Sequence, residues 1–101
     1  MVKMLLACAS GISSNQFAQR LNETAKNKGV DINVEGCAMD LVPEKVGSFD
    51  VLLEGPVASH VASNLRNIIK DSASIVELSY ADFNILNVDA MLEKGLAAAN
   101  N

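Results

Sequence analysis

Tryptophan is missing from this chain of 101 residues, and its aromatic side chains are three Phe and one Tyr. The core must therefore be assembled from Val, Leu, Ile, Ala and Met, which suits strands covered on both faces by helices. Basic residues are also few, eight Lys and Arg against twelve Asp and Glu, for a formal net charge of −4. They are scattered, with no basic footprint of the kind that binding a phosphate backbone requires, so no nucleic-acid partner is expected. Apolar runs fall far short of the ~20 residues that span a bilayer. No charged segment followed by a long apolar one opens the chain, so secretion is not expected. The only two cysteines, Cys8 and Cys37, lack metal-ligand spacing. That pattern implies reduced thiols in the cytoplasm and no metal or other cofactor.

Half of the residues are hydrophobic, and a chain of this length should bury roughly two-thirds of its unfolded surface in one core. A single domain over residues 1–101 is expected. No internal repeat, low-complexity tract or linker interrupts it.

The stretch Cys8-Ala9-Ser10-Gly11-Ile12-Ser13-Ser14 organises the rest. An apolar run of strand length, residues 2–7, precedes it, and helical spacing of Phe17, Ala18, Leu21, Thr24 and Ala25 follows from about Asn15. Gly29, beside Lys26 and Lys28, stops that helix. Asp31 to Cys37 reads as a second strand. Ala38 to Ser48, with Pro43 in a first helical turn, reads as a short helix of about two turns. Phe49 to Glu54 is a third strand, ended by Gly55-Pro56. Val57, Val61, Leu65, Ile68 and Ile69 then form a helical stripe. Ile75 to Leu78 is the fourth strand. Tyr80 to Leu86 connects it to a last helix capped by Asn87, with Val88, Met91, Leu92 and Leu96 inward and a frayed tail from Ala97.

Strand and helix alternate four times, which predicts an α/β fold. Its expected form is a four-stranded parallel sheet of order 2-1-3-4, with helices on both faces and a phosphate-binding loop after strand 1. In open sheets of this kind ligands sit at the carboxyl ends of strands where strand order reverses. The loop beginning at Cys8 falls at that place.

Main-chain N–H groups of such a loop and the positive end of the helix behind it suit an anion. A cysteine there makes covalent attachment of that anion possible, since the thiolate is the nucleophile. No Lys, Arg or His in the loop lowers the ordinary pKa of ~8.5. Stabilisation falls to backbone N–H groups, the helix dipole and the hydroxyls of Ser10, Ser13 and Ser14. Gly11 permits close backbone approach, and Ala9 and Ser10 leave room for oxygens. Ile12 is too apolar to bind phosphate by its side chain and either packs inward or meets a docking protein. The plain alternative is that Cys8 is a small buried hydrophobe at a strand end.

Residues 4–14 resemble the phosphocysteine loop of enzyme IIB components of the bacterial phosphoenolpyruvate-dependent sugar phosphotransferase system, in the lactose, cellobiose and chitobiose group. Phe49-Asp50-Val51-Leu52-Leu53-Glu54-Gly55-Pro56 is similar to that group's third strand and its Gly-Pro exit. Length and element order match over the whole chain. The resemblance implies that Cys8 accepts a phosphoryl group from a phosphohistidine on enzyme IIA. It then passes the group to a sugar, of cellobiose, chitobiose or lactose type, carried by the membrane enzyme IIC. Ala9, Ser10, Gly11, Ile12, Ser13 and Ser14 would form the phosphate cradle. Val57-Ala58-Ser59-His60 departs from the family, which often has Gln after Gly-Pro and a bulky aromatic nearby.

Three other readings compete. A cysteine-dependent phosphatase carries an Arg six positions after its cysteine to grip phosphate; here that residue is Ser14, and Arg20 lies well inside the helix. A thiol redox protein would pair Cys8 with Cys37, but there is no Cys-x-x-Cys, and Cys37 reads as core. A non-enzymatic module would bind a phosphorylated small molecule reversibly. His60 is expected as a solvated helix-start residue near the edge of Cys8, and Glu54 as a rim carboxylate pointing away. Met4, Met39 and Met91 are expected as core filler, and Tyr80 and Asp82 as rim residues.

Overall fold

The computed structural model describes residues 1–8, 12–84 and 87–99. Four strands, β1 (Val2–Cys8), β2 (Ile32–Ala38), β3 (Val51–Glu54) and β4 (Ser74–Glu77), form one parallel sheet in the order β2-β1-β3-β4. Among the described residues three α-helices, α1 (Ile12–Asn27), α2 (Ser59–Ile69) and α3 (Val88–Ala99), cover it, with a 3₁₀ segment at Met39–Lys45. The expected order and the helices on both faces are present.

Why β1 is central follows from its side chains. Met4 to Cys8 are all buried, an apolar run that only a strand covered on both faces can hide. Met4 and Leu6 pack with Leu21 of α1 and Met91 and Leu92 of α3, while Leu5 and Ala7 pack with Leu65 and Ile69 of α2 and Val42 of the 3₁₀ segment. Each buried Leu contributes on the order of 1.5–3 kcal/mol. A slip of one residue in β1 would exchange the two sets, so both cores hold the register.

The helices begin and end differently from the sequence reading in three places. Residues 12–14 are helical, so α1 starts about one turn earlier than the periodicity suggested. Met39–Lys45 is 3₁₀ rather than α-helix; Pro43 supplies no backbone N–H and so weakens any α-helical ladder there. Residues 97–99 continue α3, and the Ala98 carbonyl accepts a bond from Ser74 Oγ at 3.3 Å. Of the expected α2 stripe, Leu65 and Ile69 are buried and Ile68 is exposed.

Asn22 of α1 serves the outer edge of β2. Its Nδ2 donates to the Val34 carbonyl at 2.9 Å, and the Val34 N–H donates to Asn22 Oδ1 at 2.8 Å. This pairs polar groups of an edge strand that would otherwise invite another chain.

Candidate functional site

Cys8 is the last residue of β1, paired with Ala38 of β2, and is buried. Strand order reverses at β1, with β2 on one side and β3 on the other. Helix α1 begins four residues later, at Ile12. Of the candidate cradle, Ala9, Ser10 and Gly11 lie outside the described residues. Ile12, Ser13 and Ser14 form the first turn of α1 rather than loop, so their N–H groups belong to the helix's N-terminal set, which has no intrahelical acceptors.

Ser14 has a definite structural task. Fully buried, its Oγ donates to the Cys37 carbonyl at 3.0 Å. A hydroxyl has a single proton, and this one is committed to β2, so it is not a donor to an anion at Cys8. Gly36 makes the approach possible. A Cβ there would lie 2.6 Å from the carbonyl carbon and oxygen of Ser14 and 2.8 Å from the nitrogen of Asn15. The start of α1 is thus pressed onto β2.

The other flank of Cys8 is also backbone. Gly55 N–H donates to the Ala7 carbonyl at 2.9 Å. A Cβ on Gly55 would sit 2.8 Å from that oxygen and 3.6 Å from both Cα and Cβ of Cys8. The sequence marks both contacts only weakly: a glycine inside or just after a strand signals close backbone approach without naming the partner.

Cys37 is buried but belongs to the opposite side of the sheet. Ala7, its partner in register, and Leu5 share its core with α2. Cys8 follows Ala7 and so projects from the other face. The two thiols are not joined in a disulfide. Burial raises the Cys37 pKa above the ordinary thiol range; Lys45 pulls it the other way, and Glu35 pushes it further up. It is held as a protonated core thiol.

Glu54 overturns the expectation of a rim carboxylate. Only 2% of it is exposed, and Oε2 has no hydrogen-bond partner among the described residues. Burial raises its pKa, opposed in part by Arg66. It follows Leu53 and lies opposite Ala7 in register, so it faces α2 with Leu52. A cleft of about 410 Å³ opens there between α2 and the end of β4. Its walls include Glu54, Gly55, Ser63, Arg66, Glu77 and Tyr80, and Arg66 and Glu77 form an ion pair.

His60 is exposed in the first turn of α2. Tyr80 is 86% exposed. Asp82 pairs with Lys94 at 2.8 Å and accepts a bond from the Ser79 N–H, interactions that lower its pKa. Met4, Met39 and Met91 are buried, as expected of core filler. Among the described residues, no group of three or more His, Cys, Asp and Glu is arranged to hold a metal ion, and no helix is long and apolar enough to cross a membrane.

Comparison with known proteins gives a consistent result. The family model described as "PTS system, Lactose/Cellobiose specific IIB subunit" matches residues 3–94. The oligo-beta-mannoside-specific EIIB component of the PTS from Bacillus subtilis (strain 168) is 32% identical over 66 residues. That match takes in 65% of this chain and 64% of the relative, somewhat less than two-thirds of each. The solution structure of the cellobiose-specific phosphotransferase IIB component from Borrelia burgdorferi superposes with a TM-score of 0.80 at 29% identity, covering 99% of this chain and 93% of that one. The lactose-specific IIB component domain from Streptococcus pneumoniae gives a TM-score of 0.84 with 96% of each chain covered; at 19% identity it speaks to the fold alone.

Proposed function

This chain belongs to the lactose/cellobiose-specific IIB subunit family of the phosphotransferase system, and we propose that Cys8 is its phosphoryl carrier. The donor is a phosphohistidine on an enzyme IIA partner; the acceptor is a sugar, of cellobiose, chitobiose or lactose type, held by a membrane enzyme IIC. The observation that supports this most is the position of Cys8 at the carboxyl end of the central strand, four residues before α1 begins, in a chain of this family.

In the first step the Cys8 thiolate attacks phosphorus. The S–P bond forms as the N–P bond to histidine breaks, and the imidazole leaves with the bonding pair. In the second, a sugar hydroxyl attacks; the O–P bond forms, the S–P bond breaks, the electron pair returns to sulfur and the hydroxyl proton is released. Such a transfer needs positioning and charge stabilisation more than covalent chemistry from the protein. Residues 9–13, with the N–H groups that open α1, are suited to cradle the phosphoryl oxygens. No guanidinium belongs to that cradle, since Ser14 stands where a phosphatase has Arg. A hold on phosphate that is firm but not strong suits relay over hydrolysis.

The test is intact-mass analysis and phosphorus NMR after incubation with phosphoenolpyruvate and the upstream phosphocarriers. One phosphoryl adduct mapping to Cys8 is expected. Its absence with a competent donor would overturn the assignment.

A further inference from the structure

Three ionisable side chains meet at the carboxyl ends of β3 and β4 and take no part in the transfer at Cys8. Glu54 and Glu77 are partners in register, so both side chains stand on the α2 face of the sheet, one strand spacing of about 4.8 Å apart. Arg66 of α2 forms an ion pair with Glu77. Burial raises the Glu54 pKa, and Arg66 pulls it the other way. One guanidinium thus lies within reach of two carboxyls, and Glu77 holds it. Glu54 is shut in, and its Oε2 has no hydrogen-bond partner among the described residues. From β1 the facing residue is Ala7, which carries no charge. His60, in the first turn of α2, is exposed.

A protonated carboxyl tolerates such a place; a carboxylate without a donor does not. Once ionised, Glu54 has to meet water or Arg66, and Oε2 is closed to both where it stands. The side chain must therefore move outward. Its route is the cleft between α2 and the end of β4, whose walls already include Glu54, Arg66 and Glu77. Two main-chain bonds hold the strand end in place, from the Leu78 N–H to the Glu54 carbonyl at 2.8 Å and from the Gly55 N–H to the Ala7 carbonyl at 2.9 Å.

We propose that Glu54 is a proton-operated latch on the end of β3. With its proton it stays in the core and the strand end is closed. Without it the carboxylate swings into the cleft, takes Arg66 from Glu77 and loosens Gly55. The movement is felt at the thiol through the backbone, because a Cβ on Gly55 would lie 3.6 Å from both Cα and Cβ of Cys8. This deepens the relay reading and rests on it only for what passes at Cys8; the proton-linked movement belongs to the unphosphorylated chain.

The test is NMR of the whole, unphosphorylated chain from about pH 4 to about pH 9. Side-chain carboxyl ¹³C shifts follow Glu54, and amide hydrogen exchange at Gly55 and Leu78 follows the latch. Because no phosphoryl donor is present, failure here and failure of Cys8 to accept phosphate are separate results. Glu54→Gln keeps the shape and cannot ionise, so it supplies the closed reference at every pH. The exchange rate of the parent relative to Glu54→Gln should rise from about equal to about tenfold or more as Glu54 loses its proton. Arg66→Gln should move the Glu54 midpoint to higher pH, because the guanidinium favours the charged form. Glu77→Gln should move it to lower pH, because the guanidinium is then free for Glu54. Imidazole is the other side chain that ordinarily changes charge near neutral pH, so His60→Gln serves as the control and should leave the step in place. The proposal is overturned if Glu54 titrates while the relative exchange rate stays flat, or if no Glu54 titration occurs in this range. An unmoved midpoint in Arg66→Gln or Glu77→Gln, or loss of the step in His60→Gln, would overturn it too.

Discussion

Gly55 and Ala7 are in backbone contact: the N–H of one donates to the carbonyl of the other at 2.9 Å, beside Cys8. The space for any side chain on Gly55 is already taken by that carbonyl oxygen, 2.8 Å from where a Cβ would stand. Gly55→Ala should therefore push β3's exit away from β1. Overpacking of this kind costs about 1–3 kcal/mol, read as a lower denaturation midpoint. Because Cys8 is the next residue along β1, phosphate acceptance should fall as well, by about tenfold, equivalent to ~1.4 kcal/mol of barrier. A variant as stable as the parent would show that the contact is looser than described.

Ser14→Ala tests whether this hydroxyl anchors α1 to β2. Losing the bond to the Cys37 carbonyl in a fully buried setting should cost about 1–2 kcal/mol. The loss should appear in urea denaturation without any phosphate present, which separates anchoring from a grip on the anion. If Ser14→Ala matches the parent in stability, the hydroxyl has some other task.

Glu54 makes stability depend on pH in a definite direction. Its folded-state pKa is raised by burial, while in the unfolded chain it lies at about 4.3. As pH climbs through this window the unfolded chain releases a proton that the folded chain retains. Stability contributed by the protonated acid is thus complete below the unfolded value and is lost as pH rises through the folded one. Glu54→Gln removes the titration. Its advantage over the parent should be small at about pH 4 and reach about 1–3 kcal/mol at about pH 7.5. Chemical denaturation at both values checks this; a difference that does not change with pH would contradict it.

These cases also show what a sequence makes legible. Alternation of apolar runs with helical spacing places four strands, and the order with β1 in the centre follows from parallel crossovers. The candidate site was read from the same pattern, as the carboxyl end of the strand at which strand order reverses. Side-chain destinations were not. Glu54 reads as a rim residue because a carboxylate seldom accepts full burial, and only packing against α2 reverses that. Asn22 has the spacing of a polar face, yet both ends of its amide serve Val34 across the gap to β2. Ile12-Ser13-Ser14 has loop composition, so the early start of α1 depends on Gly36 leaving room for it.

The two cysteines give the sharpest separation of relay from redox chemistry. Cys8 ends the central strand four residues before α1, while Cys37 stands on the opposite face in the α2 core, its thiol kept protonated by burial. A thiol in that state is a poor nucleophile, and its direction turns it away from Cys8. Cys8→Ser is nearly isosteric, so the fold should persist, but a serine hydroxyl is far less nucleophilic than a thiolate. Phosphate acceptance should drop by at least about 10³-fold, roughly 4 kcal/mol of barrier. Cys37→Ala deletes one buried sulfur and should cost about 1–2 kcal/mol of stability, with transfer within about twofold of the parent. Mass analysis of each variant after incubation with the phosphocarriers, alongside urea denaturation, reads both quantities. Loss of transfer in a well-folded Cys37→Ala would instead require the two thiols to act as a pair.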